Sequence, residues 1–191
     1  MKNGRLYFWA LLGILCLQAC TSASKRKSAD YYEQNKTLIH ETLQLYDQLY
    51  RHQPFSAGFT DKSFKYYLLE VNTDTLRYIY NTDNNDQKFY QTILKFQYDT
   101  TKLKNLGTNI KAIKCLWLSK SSFYVDKRRE TVTFLSFKSA STDKPFVENK
   151  YYILIFLPHQ ITSPDISERI KKGRLVKIND LVYFTIAPKF R

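Results

Sequence analysis

Tyr151-Tyr152-Ile153-Leu154-Ile155-Phe156-Leu157 is apolar at every position, and this continuity decides the architecture. A strand with one wet face alternates polar and apolar side chains, so an unbroken run predicts cover on both faces and a place in the middle of a sheet. Downstream, Ser163-Pro164-Asp165 opens and Gly173 closes a short helix, with a cap residue, a proline in the first turn and a glycine past the end. Leu175 to Ile178 and Leu181 to Ile186 then predict a hairpin around Asn179-Asp180. Upstream, Leu116 to Val125 and Thr131 to Lys138 are rich in β-branched and aromatic residues and predict a hairpin across residues 126–130.

The remaining elements follow from periodicity. Leu103, Leu106, Ile110 and Ile113 recur at three- and four-residue intervals behind Asp99, a helix cap, although Gly107 inside this pattern costs about 1 kcal/mol. Ile93 to Tyr98 reads as a strand, and Phe64 to Val71 with Leu76 to Tyr80 reads as a hairpin around residues 72–75. Leu38, Leu45 and Leu49 share one helical face, widened by Tyr32, Ile39, Leu43, Tyr46 and Tyr50. Asp30 and Glu33 resemble a capping box at the start of that helix, and Pro54 lies past its end. The fold class expected is α+β: a mainly antiparallel sheet packed by a long N-terminal helix and one or two shorter helices. No internal repeat or linker divides residues 30–191, which read as one globular domain.

The N-terminus carries different information. Lys2 and Arg5 precede Leu6 to Leu17, an almost wholly apolar stretch too short for the roughly 20 residues that span a bilayer. Positive charge followed by a short apolar segment is the pattern of a secretory signal. The run Leu17-Gln18-Ala19-Cys20 that closes it resembles the bacterial lipobox, with Leu17 and Ala19 in the recognition positions and Gln18 a less usual occupant of its own. That resemblance covers only about the first twenty residues. It implies a signal peptide over 1–19, acylation of Cys20, and attachment to the cell envelope by more than one acyl chain, since a single chain gives only marginal binding. Thr21, in place of Asp, resembles the sorting pattern for an outer membrane, and the basic Lys25-Arg26-Lys27 implies a periplasmic rather than a surface orientation. Residues 20–29 then form a lipidated, basic tether without large apolar side chains.

Charge and cysteine content agree with export. The 191-residue chain has a net charge of +13, and loss of Lys2 and Arg5 leaves it strongly basic. Its field favours an anionic lipid or glycan, while an exported location sets nucleic acid aside. Of three cysteines, Cys16 leaves with the signal and Cys20 is acylated; Cys115, within an apolar run, reads as a small buried hydrophobe. No internal disulfide and no cysteine-based zinc site are then available.

Candidate site residues are sparse. His40, His52 and His159 have no ligand spacing, and no nucleophile elbow, phosphate loop or dinucleotide fingerprint occurs, so an enzyme is unsupported and no metal or cofactor is expected. The oxygen-rich run of residues 81–86 departs from a calcium loop at the positions that need Gly and Glu, and reads as a polar loop. Three basic clusters are candidate anionic-surface contacts: Lys25, Arg26 and Lys27 in the tether; Lys127, Arg128 and Arg129 at a hairpin tip; and Arg169, Lys171, Lys172 and Arg174 at a helix end, where cations also complement the dipole. Asp74-Thr75-Leu76 and Asp99-Thr100-Thr101 resemble a three-residue O-glycosylation pattern of Bacteroidota-type periplasmic proteins, which would place sugars on Thr75 and Thr100. Fifteen Tyr and thirteen Phe suit core and cross-strand packing first, and an interface or groove second.

These readings predict a lipid-anchored, non-enzymatic interaction or accessory protein of an envelope complex. The alternative is a periplasmic carrier or binding module for an apolar or anionic ligand held between helix and sheet. An envelope hydrolase is the third.

Overall fold

Aromatic and β-branched runs separated by short polar turns favour hairpins over crossovers, and the chain folds largely that way. The computed structural model describes residues 3–59, 61, 63–125, 127–139, 150–161 and 163–188, with side chains from residue 24 onward apart from 125, 138, 139 and 165. The chain divides into two units, Met1–Gln34 and Asn35–Arg191.

Helix α1 (Asn3–His52) contributes to both units. It continues through residues 21–29, so the stretch expected as a tether has a helical backbone and Asp30 is not a cap. Ser, Ala, Lys and Arg at these positions leave no Pro or Gly to end a helix, and Asp30 instead lies 3.8 Å from Arg26 one turn earlier. After α1 come β1 (Phe55–Phe59), β2 (Tyr66–Asn72), β3 (Arg77–Asp83), α2 (Gln87–Ile93) with a 3-10 turn at Leu94–Phe96, and α3 (Thr100–Ala112). Then follow β4 (Trp117–Val125), β5 (Arg128–Ser139), β6 (Tyr151–Phe156), α4 (Pro164–Lys171), β7 (Val176–Lys177) and β8 (Val182–Ala187).

The strands form one antiparallel sheet of order β3-β2-β1-β4-β5-β6-β8-β7, and the architecture is α+β. Register places Phe55, Ala57 and Phe59 beside Val71, Leu69 and Tyr67, and these beside Tyr78, Tyr80 and Thr82, all on one face. Helices cover that face. Tyr46 of α1 meets Phe55 edge-on at 4.9 Å between ring centroids and donates its hydroxyl to the Phe55 carbonyl at 2.6 Å. Tyr98 meets Phe55 at 5.3 Å, and Phe89 and Phe96 cover Tyr80 and Tyr78. Ile39, Leu49, Leu69, Leu103, Leu106 and Ile110 complete the interior between helices and sheet.

Other expectations change as well. Strand β1 is absent from the sequence reading, because Ser56, Ala57 and Gly58 have weak strand propensity; yet it joins β2 to β4. Gly58 is required there, since a Cβ at this position would lie 2.0 Å from the Leu116 carbonyl oxygen. The expected strand from Ile93 to Tyr98 is instead the end of α2 and the 3-10 turn: Asp86 caps α2 by accepting from the Lys88 N–H at 2.9 Å, and Tyr90 and Ile93 turn inward with helical spacing. Finally, β6 is interior but third from one edge, and β4 and β5 hold the middle. Apolarity along a strand reports cover on its faces, not its lateral rank.

Other features stand as read. Asp99 caps α3 through the Lys102 N–H at 2.9 Å, and Ser163 caps α4 through the Ile166 N–H at 3.2 Å. Gly173, at φ 66°, follows the end of α4. Asn179 shapes the β7–β8 turn, its Oδ1 accepting from the N–H groups of Leu181 and Val182 at 2.9 Å each.

Candidate functional site

Leu17, Ala19 and Cys20, where the sequence reading expects recognition and lipidation, have side chains outside the described residues. Lys25, Arg26 and Lys27 are exposed on the first unit's part of α1. Among the described residues no helix is long and apolar enough to cross a membrane.

Two of the three basic clusters lie in the second unit. Lys127, Arg128 and Arg129 are exposed at the tip of the β4–β5 hairpin, where Lys127 takes a positive φ of 66° in a tight turn. Pairing of Val125 with Arg128 makes this turn shorter than the five residues expected. Arg129 lies opposite Tyr124, a residue 75 % exposed, so the tip combines cations with an aromatic side chain. Nearby, Lys120 Nζ lies 2.8 Å from Asp47 Oδ1 without hydrogen-bond alignment and 5.1 Å from the centre of the Tyr50 ring, fastening β4 to α1. Arg169, Lys171, Lys172 and Arg174 are exposed at the end of α4. Lys172 pairs with Glu168, and the Arg169 carbonyl accepts from the N–H groups of Arg174 and Leu175, so this cluster includes the cap of its own helix.

Burial sets the protonation of the titratable interior. Cys115 is fully buried, and burial pushes its thiol far above the usual range while its Sγ donates to the Trp117 carbonyl at 3.3 Å. Burial likewise raises Tyr46, Tyr67 and Tyr98, and moves Tyr90 to about 12. Phenols and a thiol shifted upward hold their protons at neutral pH. The Tyr67 hydroxyl is buried without a hydrogen-bond partner among the described residues.

The histidines stay apart. His40 and His52 are exposed at separate positions on α1, and His159 lies 3.5 Å from Glu130. Among the described residues no group of three or more His, Cys, Asp or Glu is arranged to hold a metal. The oxygen-rich run is used locally: Asp86 caps α2 and accepts from the Thr82 hydroxyl at 2.9 Å, while Asn84 accepts from the Tyr90 hydroxyl. Thr75 is exposed in the β2–β3 turn, and Thr100 is half-buried at the first position of α3.

A surface that residue chemistry alone does not mark is the outer edge of β3. It is one of the two edges of the sheet, seven residues long, and its Ile79 is 61 % exposed with Leu76 and Tyr66 also exposed nearby. The residues from Leu76 to Tyr80 identified a strand but not its rank in the sheet, which depends on every other pairing. No protein-family model, curated protein or solved structure matches this chain.

Proposed function

We propose that this chain is a cell-envelope lipoprotein, cleaved after Ala19 and acylated at Cys20, whose Asn35–Arg191 unit is a non-enzymatic interaction module for another envelope protein. The observation that carries the reading is the conjunction of a basic start, a short apolar stretch and Leu17-Gln18-Ala19-Cys20. A diacylglycerol thioether and an amide-linked acyl chain hold such a protein to the membrane durably. Lys25, Arg26 and Lys27 add about 1 kcal/mol each against anionic headgroups, in an orientation at the outer membrane facing the periplasm. Thr75 and Thr100 are proposed glycosylation positions in that compartment.

The folded unit supports interaction over chemistry. Its buried tyrosines and Cys115 are held protonated by burial, while Tyr124, Ile79 and the cations of the β4–β5 tip face outward. The space between helices and sheet is occupied by Tyr46, Leu49, Phe55 and Leu69, so the carrier alternative gains no specific support.

Intact-mass measurement of the protein extracted from its native membranes tests the anchor. The expected species begins at Cys20 and carries the mass of at least two acyl chains, and Cys20→Ser abolishes both cleavage and acylation. An unmodified N-terminus, or cleavage elsewhere, refutes it. Crosslinking in the same membranes is expected to recover a stoichiometric protein partner, and its absence refutes the interaction role alone.

A further inference from the structure

The hydrogen-bond phase of β3 can be read from its hairpin. The Thr73 N–H donates to the Leu76 carbonyl at 2.8 Å, and the Asn72 N–H donates away from β3, to the Pro54 carbonyl at 2.8 Å. Antiparallel ladders alternate strictly, so with Asn72 opposite Arg77 the backbone groups of Tyr78, Tyr80 and Thr82 point to β2. Those of Arg77, Ile79, Asn81 and Asp83 therefore point outward, and among the described residues only the Asp83 carbonyl of this set is engaged, accepting from the Asp86 N–H at 3.0 Å.

Edge strands are ordinarily blunted by shortness, proline, lysine or a bulge. Strand β3 is seven residues long, has neither Pro nor Lys, and pairs with β2 in unbroken register, whereas the opposite edge, β7, has two residues. The side chains on its face away from the helices are also ordered by charge: Arg77 at one end, Asp83 at the other, Ile79 and Asn81 between.

That order is self-complementary. We infer that the β3 edge is a self-association surface on which a second copy of this chain pairs β3 against β3, antiparallel, about a two-fold axis at Tyr80. In this register Arg77 lies opposite Asp83 of the second copy at both ends, and Ile79 lies opposite Asn81 twice. All four pairs join residues whose backbone groups point outward, so the phase of the ladder is satisfied throughout the strand. Arg77 has donors to spare: its Nε bonds Asn72 Oδ1 at 3.0 Å and Nη1 lies 3.9 Å from Glu70, while its side chain is 64 % exposed. A closed two-fold contact also removes the open edge, which a parallel or shifted pairing leaves partly bare. The inference does not rest on lipidation or on the envelope partner proposed above.

Sedimentation equilibrium of the full chain in detergent, with Arg77→Asp, Asp83→Arg and Ile79→Lys, tests it. The wild type is expected to dimerise. Arg77→Asp and Asp83→Arg each face like charge against like at both ends and weaken self-association about tenfold or more, while an equimolar mixture of the two restores dimers of one copy of each. Ile79→Lys, at an exposed position, abolishes dimers. Because Asp83→Arg also removes the acceptor of the Asn85 N–H, a second measurement avoids that residue: Ile79→Cys mixed with Asn81→Cys forms an intermolecular disulfide under mild oxidation, and neither does so to the same extent alone. A wild-type monomer, a dimer indifferent to these variants, a mixture without rescue, or an unrelated strand bound along β3 in place of a second copy each overturns the inference.

Discussion

The two edges of the sheet are stabilised differently. At the β3 edge, Tyr78 and Tyr80 are fixed from the helical side by Phe96 and Phe89, and Lys95 sits 4.4 Å from the Tyr78 ring centre. At the β7 edge, two paired residues depend on the Asn179 turn and on the Thr185 hydroxyl bond to the Arg174 carbonyl at 2.8 Å. One edge is long because rings anchor its inner face, and its outer backbone stays available. The other is kept short and presents almost no ladder to pair with. An edge strand's length follows from what lies across its face, and its availability follows from that length.

The largest break in this comparison should come at Gly58. Gly58→Val drives a side chain into the Leu116 carbonyl, a backbone atom that cannot rotate away, and detaches β2 and β3 from the rest of the sheet. Denaturant titration is expected to show a loss of about 3 kcal/mol, with the β3 side losing amide protection before β8. Equal loss on both sides would mean that the sheet unfolds as one unit.

Tyr98→Phe acts on the same side more gently. It deletes the hydroxyl bond to the Gln53 carbonyl at 2.9 Å while keeping the ring against Phe55, and is expected to cost about 1 kcal/mol. A change within error would place the aromatic contacts, not the hydroxyl, in charge of α1's end.

The smallest effect separates the edges by pH. The Thr82 hydroxyl and the Lys88 N–H hold the Asp86 carboxyl below its ordinary value. Its contribution is therefore present above the unfolded carboxylate pKa of about 3.9 and is lost as pH falls through the lower folded value, loosening the α2 cap behind β3. Lys177 has its pKa raised by the hydrogen bond and charge of Asp180, 2.6 Å away. Its contribution is complete below the unfolded pKa of about 10.4 and disappears as pH rises through the higher folded value, loosening the β7 edge. Backbone amide shifts followed by NMR should show acid effects near β3 and alkaline effects near β7. Asp86→Asn, which retains a cap, should flatten only the acid limb.

Much of the fold was legible from short-range chemistry. Asp99 and Ser163 cap the helices expected of them, Gly173 follows α4 with a positive φ, and the hairpins at 72–75 and 179–180 form where turn residues interrupt apolar runs. Strand β1 and helix α2 were not legible. Ser56-Ala57-Gly58 carries no strand propensity of its own and is held by neighbours distant in sequence, and the apolar residues of Ile93 to Tyr98 fit a short strand as well as a helix end. The basic clusters were legible as positions, but their relation to Tyr124 and to the cap of α4 depended on pairing and on helix termination.

By itself the sequence determined what is local: a basic start and a short apolar stretch before Cys20, capped helices, turns, and the residue types of the strands. Tertiary structure decided which strands are neighbours and which one is left at the edge. Caps and turns are made by residues a few positions apart, so the chain states them directly. The rank of β3 depends on the whole order of pairings, and with it whether Arg77, Ile79, Asn81 and Asp83 face another strand or open solvent.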